Sequence, residues 1–338
     1  MYKPFLTGIA LLCAVGTAQA QNGVQLFGII DTFAQHTNTG KGYQTAIDSS
    51  GLYGTRWGVK GREDLGGGNH VEFVLEQGFK SDTGAAADPA RAFSRQAWVA
   101  IDGSLGQIRV GRQNALMFLN ENRLDAFVGA SMASGLNNFS TYTVRTDRTV
   151  SYFSPALGPL RFQLYYGFGT NGGAKSANGS YSGALSFDRQ RLHLSLVHQA
   201  VRNAQDTDTQ KALYAGGNYE FDKAIVYLGY HRAKSPLAQI DKEVLTTSVR
   251  YHLSANLDVG VGYSHLRDHS SRDSGASQLG TILIYTLSKR TQLYSTLSYL
   301  RNRNIGSYTL GGAAVAGLPL AYAGADARGL QLGIVHFF

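Results

Sequence analysis

The end of the chain forms a strand with one apolar face. Leu330, Leu332 and Ile334 alternate with polar or small residues, and the chain closes on an aromatic residue, Phe338. Successive side chains of a β-strand point to opposite faces, so this pattern places the apolar side chains on one side only. Such a face needs lipid or protein to cover it.

Residues 1–20 have the three parts of a secretory signal peptide. Lys3 gives a basic start, an apolar run covers residues 5–15, and small residues at 18 and 20 form a cleavage site. The run is too short for a spanning helix, which needs about 20 apolar residues. We therefore divide the chain into a signal peptide (1–20) and a mature barrel (21–338). An exported chain with an amphipathic last strand predicts a closed barrel in a bacterial outer membrane.

The composition agrees with a β-barrel and argues against other classes. Glycine is abundant, at 41 residues, and proline is scarce, at 6, which suits many strands joined by tight turns. Mean hydropathy is −0.16, as expected when polar lumen residues dilute lipid-facing ones. The net charge of +8 is spread along the chain, so we expect no nucleic-acid partner. The only cysteine, Cys13, lies in the predicted signal; we expect neither a cofactor nor a metal site, although a divalent ion bridging loops or subunits stays an open question.

Turn signals alternate with longer loops along the whole mature chain. Seven short turns are predicted at residues 66–68, 103–106, 156–159, 188–189, 222–223, 254–256 and 288–290. Eight longer segments are predicted at about 38–52, 81–91, 114–146, 170–178, 203–210, 235–241, 269–276 and 304–324. These connections join sixteen strands, and an even number with short turns on one side is typical of outer-membrane barrels. The predicted fold is an all-β, 16-stranded antiparallel transmembrane β-barrel, wide enough to enclose water.

Four segments resemble one known family. VQLFGIID at 24–31, RWGVKGREDLGGG at 56–68, SRQAWV at 94–99 and LGQIRVGRQ at 105–113 are similar to the trimeric general porins of Gram-negative outer membranes. The resemblance implies three barrels per assembly, each with its own water-filled pore. It also implies that the third loop, from Asn114 to about Arg145, folds into the barrel and faces a row of arginines.

The resemblance and the strand pattern together nominate the residues of a pore constriction. By motif, Arg56 and Arg95 match the wall arginines, and Arg148 matches a third. Since the strand of Arg95 lacks a clean apolar face, a position of Arg95 at the mouth of the barrel is the alternative. Lys60 shares the face of Arg56 on one strand, and a basic row facing lipid would cost about 2–4 kcal/mol per residue at midplane. The row is therefore predicted to line water. Structural pairing of Lys60 with a neighbouring acid such as Glu76 is the alternative.

Two carboxylates of the third loop are candidate counter-charges to this row. Glu121 and Asp125 occupy roughly the region where the family carries its acidic loop residues, although the familiar Pro-Glu-Phe-Gly-Gly-Asp stretch is absent. Opposing charges would create a transverse field that favours polar solutes. The equal alternative is that both are ordinary solvated loop carboxylates balanced by Arg123.

These features predict a channel for passive diffusion of small hydrophilic solutes and ions, with a preference for anions. A substrate-selective channel is the main alternative, and a barrel hydrolase or adhesin is a weaker one. No Gly-x-Ser-x-Gly or His-Glu-x-x-His motif is present, so we expect no enzyme activity. The resemblance also implies a homotrimer and, as further partners, outer-membrane lipid, lipopolysaccharide and a barrel-assembly machinery that recognises Phe338.

Overall fold

The computed structural model describes residues 23–169 and 177–338; the predicted signal peptide and most of the predicted loop at 170–178 lie outside the described residues. The strands are β1 (Gly23–Asn38), β2 (Tyr43–Ser49), β3 (Arg56–Gly66), β4 (Asn69–Gly78), β5 (Gln96–Gly103), β6 (Gly106–Asn114), β7 (Arg145–Phe153), β8 (Leu160–Phe168), β9 (Gly179–Arg189), β10 (Leu192–Arg202), β11 (Thr209–Glu220), β12 (Ala224–Ser235), β13 (Ile240–Ser254), β14 (Leu257–Asp268), β15 (Ala276–Ser288), β16 (Thr291–Asn302) and β17 (Ala327–Phe337). Two short helices, α1 (Leu116–Arg123) and α2 (Gly135–Phe139), lie between β6 and β7. No helix in the described part of the chain is long and apolar enough to cross a membrane.

All strands belong to one sheet that closes on itself. Each strand pairs antiparallel with its neighbours, and β17 pairs with β1 to complete the circle. The first half of β1 pairs with β3 and its second half with β2, so these two strands share one position in the wall. The seventeen strands therefore form a 16-stranded antiparallel barrel, and the predicted fold class is confirmed.

The wall is interrupted between β2 and β3, where residues 50–55 turn inward. The carboxylate of Asp31 on β1 accepts the backbone N–H groups of Leu52 at 2.7 Å and Tyr53 at 2.6 Å. It also accepts the hydroxyl of Tyr294 from β16, at 2.8 Å. The sequence predicted one loop over residues 38–52. The structure instead places β2 within that range, because the chain turns at Gly40 and Gly42 and pairs again with β1.

The two faces of each strand differ as the alternation predicts. Outward positions carry exposed apolar side chains, such as Leu194, Leu228 and Leu332, at 43%, 62% and 57% exposure. Inward positions of the same strands carry buried polar residues such as Ser195 and Gln331. The outer wall is therefore apolar and the interior polar, as required of a barrel that crosses lipid and holds water.

The turns lie close to their predicted places. Six of the seven short connections fall at the predicted residues, and the β9–β10 turn lies at 190–191, two residues later than predicted. Asp188 and Arg189 still belong to the strand because they pair with His193 and Leu192. The long connections among the described residues emerge at the opposite end of the barrel, which we take as the extracellular end.

Candidate functional site

The third loop, residues 115–144, lies inside the barrel against one side of the wall. Its first helix contacts β9, β10 and β11, and its second contacts β13, β14 and β15. The wall side chain of Arg250 donates from Nε to the Ala126 carbonyl at 3.0 Å, and Gln278 donates to the Met132 carbonyl at 2.9 Å. The loop thus crosses the barrel interior from β9 to beyond β15, tied to the wall by polar contacts.

Glycines in the wall let the loop approach closely. A Cβ atom at Gly280 on β15 would overlap the carbonyl oxygen of Ala133 in the loop. A Cβ at Gly262 on β14 would lie 2.7 Å from the ring of Phe127, closer than side-chain atoms normally come. Because both are inward positions, the missing side chains make room for the loop backbone.

The loop residue Glu121 makes one of the polar contacts that hold the third loop to the wall. Its Oε1 lies 2.6 Å from Nδ1 of His231 on β12, and the side chains are 2% and 0% exposed. The other imidazole nitrogen, Nε2, accepts the backbone N–H of Thr141 at 3.2 Å. Since Nε2 accepts, the proton resides on Nδ1 and is donated to the carboxylate. His231 therefore holds both ends of the loop, at Glu121 and at Thr141, to the wall.

Asp125 plays a similar part in the middle of the loop. Its carboxylate accepts the hydroxyls of Ser134, at 2.5 Å, and of Ser248 on β13, at 3.4 Å. Burial raises the pKa of this carboxyl, because the charged form loses its hydration. The sequence left two alternatives for Glu121 and Asp125: counter-charges that face the arginines, or solvated loop carboxylates balanced by Arg123. Both are instead buried between loop and wall, since each is paired with a wall side chain.

The opposite wall carries a cluster of arginines around one carboxylate. Glu76 on β4 is 5% exposed and receives Arg95 Nε at 2.6 Å and Arg56 Nε at 3.2 Å. Arg95 precedes β5, whereas Arg56 begins β3, so the two reach Glu76 from the strands on either side. The predicted convergence of Arg56 and Arg95 is present in the structure, and the acid between them is what brings it about.

Two further arginines extend the cluster along the wall. Arg112 on β6 forms an ion pair with Asp147 and donates to the Ser94 carbonyl at 2.8 Å. Arg145, at the start of β7, lies within electrostatic range of Glu76 as well as of Arg56, Arg95 and Arg112. Among the residues that the structure describes, no carboxylate lies within ion-pair distance of Arg145, and its Nε is buried without a hydrogen-bond partner.

Arg148 lies away from this cluster. A register shift between Gly111 and Gln113 sets two residues of β7 opposite one residue of β6, and Arg148 has a φ of 49°. The bulge changes the alternation. Arg148 is therefore exposed and donates to the Gly169 carbonyl at 2.6 Å, and Arg145 is the residue of β7 in the cluster.

Lys60 also lies outside the cluster. It is four residues along β3 from Arg56, about 13 Å at the usual rise of a strand, and its ammonium lies 5.6 Å from the ring of Phe27. The last predicted residue, Phe338, exchanges backbone hydrogen bonds with Gly28 of β1 at 2.9 and 3.1 Å. Its ring covers Gly28 on the lipid-facing side, so the terminal aromatic seals the closure of the barrel.

Sequence reasoning missed Arg112, Arg145, the central role of Glu76, and His231. Arg112 stood in the LGQIRVGRQ segment without an assigned role. The signal that could have found Glu76 is an acid on the inward face of a strand whose two neighbours carry an arginine at or next to the same end, Arg56 and Arg95. The sequence carried no signal for Arg145, because its placement depends on the bulge in β7.

A cavity of about 550 Å³ adjoins the cluster. Its charged lining consists of Lys80, Arg95, Arg112 and Arg145 together with the carboxylates Asp48 and Asp88, and residues 313–316 of the last long loop lie on another side. The part of the chain that the structure describes contains no group of three or more His, Cys, Asp or Glu arranged to hold a metal ion. A closed barrel with an apolar outer wall, a loop across its interior and charges beside a cavity defines an outer-membrane channel.

Comparison with known proteins makes this class more specific. The sequence profile of the Gram-negative porin family matches residues 7–305. Outer membrane porin protein 32 of Delftia acidovorans is 30% identical over 99% of this chain and 100% of its own length. The structure of an anion-selective porin from Comamonas acidovorans superposes with a TM-score of 0.82 at 26% identity, covering 94% of this chain and all of that one. OmpT of Vibrio cholerae in its trimer form shares the fold, with a TM-score of 0.72 at 14% identity, over 94% and 99% of the two chains.

The chain belongs to the Gram-negative porin family. It is an outer-membrane porin, a channel barrel whose chain crosses the membrane many times.

Proposed function

We propose that this porin is a general diffusion channel for small hydrophilic solutes and ions that prefers anions. The observation that carries the proposal is the charge balance at the cluster. Three guanidinium groups, those of Arg56, Arg95 and Arg112, pair with two carboxylates, Glu76 and Asp147, and Arg145 adds a fourth guanidinium without an ion-pair partner among the described residues. Asp147 is also bound by Arg91, at 3.0 Å, which further reduces its influence on the lumen.

The mechanism is selection by size and charge without a covalent step. The third loop narrows the barrel from one side, so that a solute must pass the arginines opposite. An excess positive charge at 7 Å changes the free energy of a monovalent ion by about 0.6 kcal/mol even at the dielectric constant of water. The excess attracts anions and repels cations, so both effects favour anions. Salt screens the effect, and the preference should weaken as ionic strength rises.

The lack of an acidic rim on the third loop supports anion preference over a balanced field. Glu121 and Asp125 are buried and hydrogen-bonded to His231 and to serine hydroxyls, and neither faces the arginines. The Comamonas acidovorans relative is described as anion-selective, in agreement with this assignment.

We extend the proposal to assembly and location. The trimer form of the Vibrio cholerae protein supports an oligomer, and we propose a homotrimer for this chain. Residues 1–20 act as a cleaved export signal, and the barrel-assembly machinery recognises the last strand with Phe338. Lipopolysaccharide surrounds the extracellular half of the barrel. The relatives are channels, and we propose that this chain has no catalytic activity.

Planar-bilayer recording tests the proposal. Purified protein should insert in discrete conductance steps without any substrate. In a potassium chloride gradient, its zero-current potential should have the sign of chloride preference. Correctly folded protein that stays silent would contradict the channel, and a potential of the opposite sign would contradict anion preference alone.

A further inference from the structure

The outer wall carries a pair of lysines in an electrostatically unfavourable arrangement. Lys211 on β11 and Lys234 on β12 occupy directly paired positions. Both are exposed, and both share the outward face with Leu213 and Leu228. Side chains at directly opposed positions lie about 5 Å apart at Cβ, and like charges there destabilise a sheet. A pair that costs stability points to an anionic group outside the protein.

The lysines lie within a larger basic patch at the extracellular end of the wall. Arg232 pairs with Asp241 and, at 3.4 Å, with Glu243; Lys234 lies 3.5 Å from Asp241. The neighbouring strand adds Arg267, 3.7 Å from Glu243. These outward side chains comprise the four cations Lys211, Arg232, Lys234 and Arg267 against two carboxylates. The basic patch therefore has a positive excess where headgroups meet the protein.

Directly below the basic patch, strand β11 has two consecutive outward positions without large side chains. Ala215 and Gly217 follow Lys211 and Leu213 on the outward face of β11, between the leucines of β10 and β12. An apolar trough of about 870 Å³ results, lined by Leu194, Leu196, Leu228 and Leu245 among others. Ala215 is four residues from Lys211, about 13 Å along the strand. This separation is within the reach of one acyl chain.

We propose that this face is a binding site for a phosphorylated acyl lipid of the outer leaflet. The phosphate lies between Lys211 and Lys234, and one acyl chain lies in the trough beside Ala215 and Gly217. Asp241 is already shared by Lys234 and Arg232, so a phosphate would supply the further negative charge that two ammonium groups need, and charge-assisted hydrogen bonds to ammonium groups are the strong kind. The lysine and the apolar trough lie on the same strand, about one acyl-chain depth apart. A free anion would need only the lysines, whereas a lipid uses both. The site is on the outside of the barrel and is independent of the ion preference of the pore.

Binding of diphosphoryl lipid A to the folded, detergent-solubilised protein tests the site, with native mass spectrometry as the readout. The double variant Lys211→Gln/Lys234→Gln should lower affinity about tenfold or more, since each basic residue near a headgroup contributes substantially. Ala215→Leu should fill the trough and lower affinity several-fold. The matched controls are Lys223→Gln/Lys289→Gln, at turns on the opposite end, and Thr281→Leu, on the outward face of β15. Both controls should bind as the wild type does.

Two competitors, one lipid and one inorganic ion, distinguish the contribution of the lysines from that of the trough. Phosphatidylethanolamine should bind far more weakly than lipid A, and inorganic pyrophosphate should displace lipid A only at large excess. Equal binding of phosphatidylethanolamine would overturn the role of the lysines, and efficient displacement by pyrophosphate would overturn the trough. Wild-type affinity in the lysine variant, or an equal loss in the controls, would overturn the site as a whole.

The lysine pair also predicts that one variant is more stable without lipid although it binds lipid less well. A misfolded variant would not show this combination. In detergent without anionic lipid, Lys211→Gln should raise the unfolding temperature because it relieves repulsion. With lipid A present, the same variant should gain less stabilisation than the wild type. A variant that is less stable in both conditions would contradict the proposed arrangement.

Discussion

At the scale of single residues, buried carboxylates organise the pore interior. Glu76 holds Arg56 and Arg95 on one wall, and Glu121 holds the third loop to the other through His231. The two carboxylates have the same chemistry but affect different properties of the pore. Glu76 subtracts from a field that solutes meet, whereas Glu121 is fully enclosed and acts on the position of the loop.

Replacing Glu76 with Gln should increase anion preference. The substitution removes one of two carboxylates among four arginines and leaves a side chain of the same shape, so the net charge of the cluster rises by one. The zero-current potential in a salt gradient should shift further toward chloride. Glu63→Gln is the matched control because Glu63 is exposed near the opposite end of β3. An unchanged potential in the Glu76 variant would mean that the cluster does not face the permeation path.

The pair of Glu121 and His231 should show strong coupling. His231→Leu leaves a buried charge without a partner, and losses of about 3–5 kcal/mol are typical of such changes. We expect a lower unfolding temperature and noisier, larger conductance as the loop loosens. The double variant Glu121→Leu/His231→Leu should recover much of the stability, since no charge remains unpaired. Additive losses in the double variant would contradict a direct interaction.

At the scale of elements, the barrel strands were predictable from sequence and the inner surface was not. Alternation and turn residues suffice to locate strands because lipid imposes the same demand on every outward position. β2 was missed since its pairing with β1 depends on the inward turn after it. Arg145 was missed because a single bulge in β7 reverses which side chains face the lumen.

The fit between the third loop and the wall can be tested at one glycine. Gly280→Val places side-chain atoms where the Ala133 carbonyl lies, so the loop must move toward the pore axis. Single-channel conductance should fall or become unstable while the barrel still assembles. Gly183→Val is a suitable control, because its added Cβ would meet only ordinary contacts on the outer wall. Equal effects of the two substitutions would argue against a tightly apposed loop.

The last strand offers a test of barrel closure. Deleting Phe338 removes two backbone hydrogen bonds to Gly28 and the ring that covers it. The amount of folded, heat-modifiable protein should fall severalfold, and the conductance of the protein that does assemble should stay unchanged. Phe338→Tyr should restore the yield, since it keeps the ring and the backbone contacts. Normal yield in the deletion variant would show that the terminal residue has no part in assembly.

At the scale of the whole molecule, the two sides of the barrel have different roles. The strands from β3 to β7 carry the arginine cluster, and those from β9 to β16 support the third loop. A solute therefore passes between the wall that carries the arginines and a loop whose own carboxylates are buried against the other wall. This division explains why a net charge of +8 alone says little, whereas the local balance of four cations and two anions determines preference.

The zero-current potential of two matched variants tests this account most directly. Arg145→Gln and Arg148→Gln remove the same charge three residues apart on β7, but only Arg145 belongs to the cluster. We predict that Arg145→Gln lowers the anion-to-cation permeability ratio about sevenfold, since one charge at about 7 Å shifts the free energies of the anion and the cation by about 0.6 kcal/mol each, in opposite directions. Arg148→Gln should leave the ratio at the wild-type value. A shift in the Arg148 variant with none in the Arg145 variant would contradict the account.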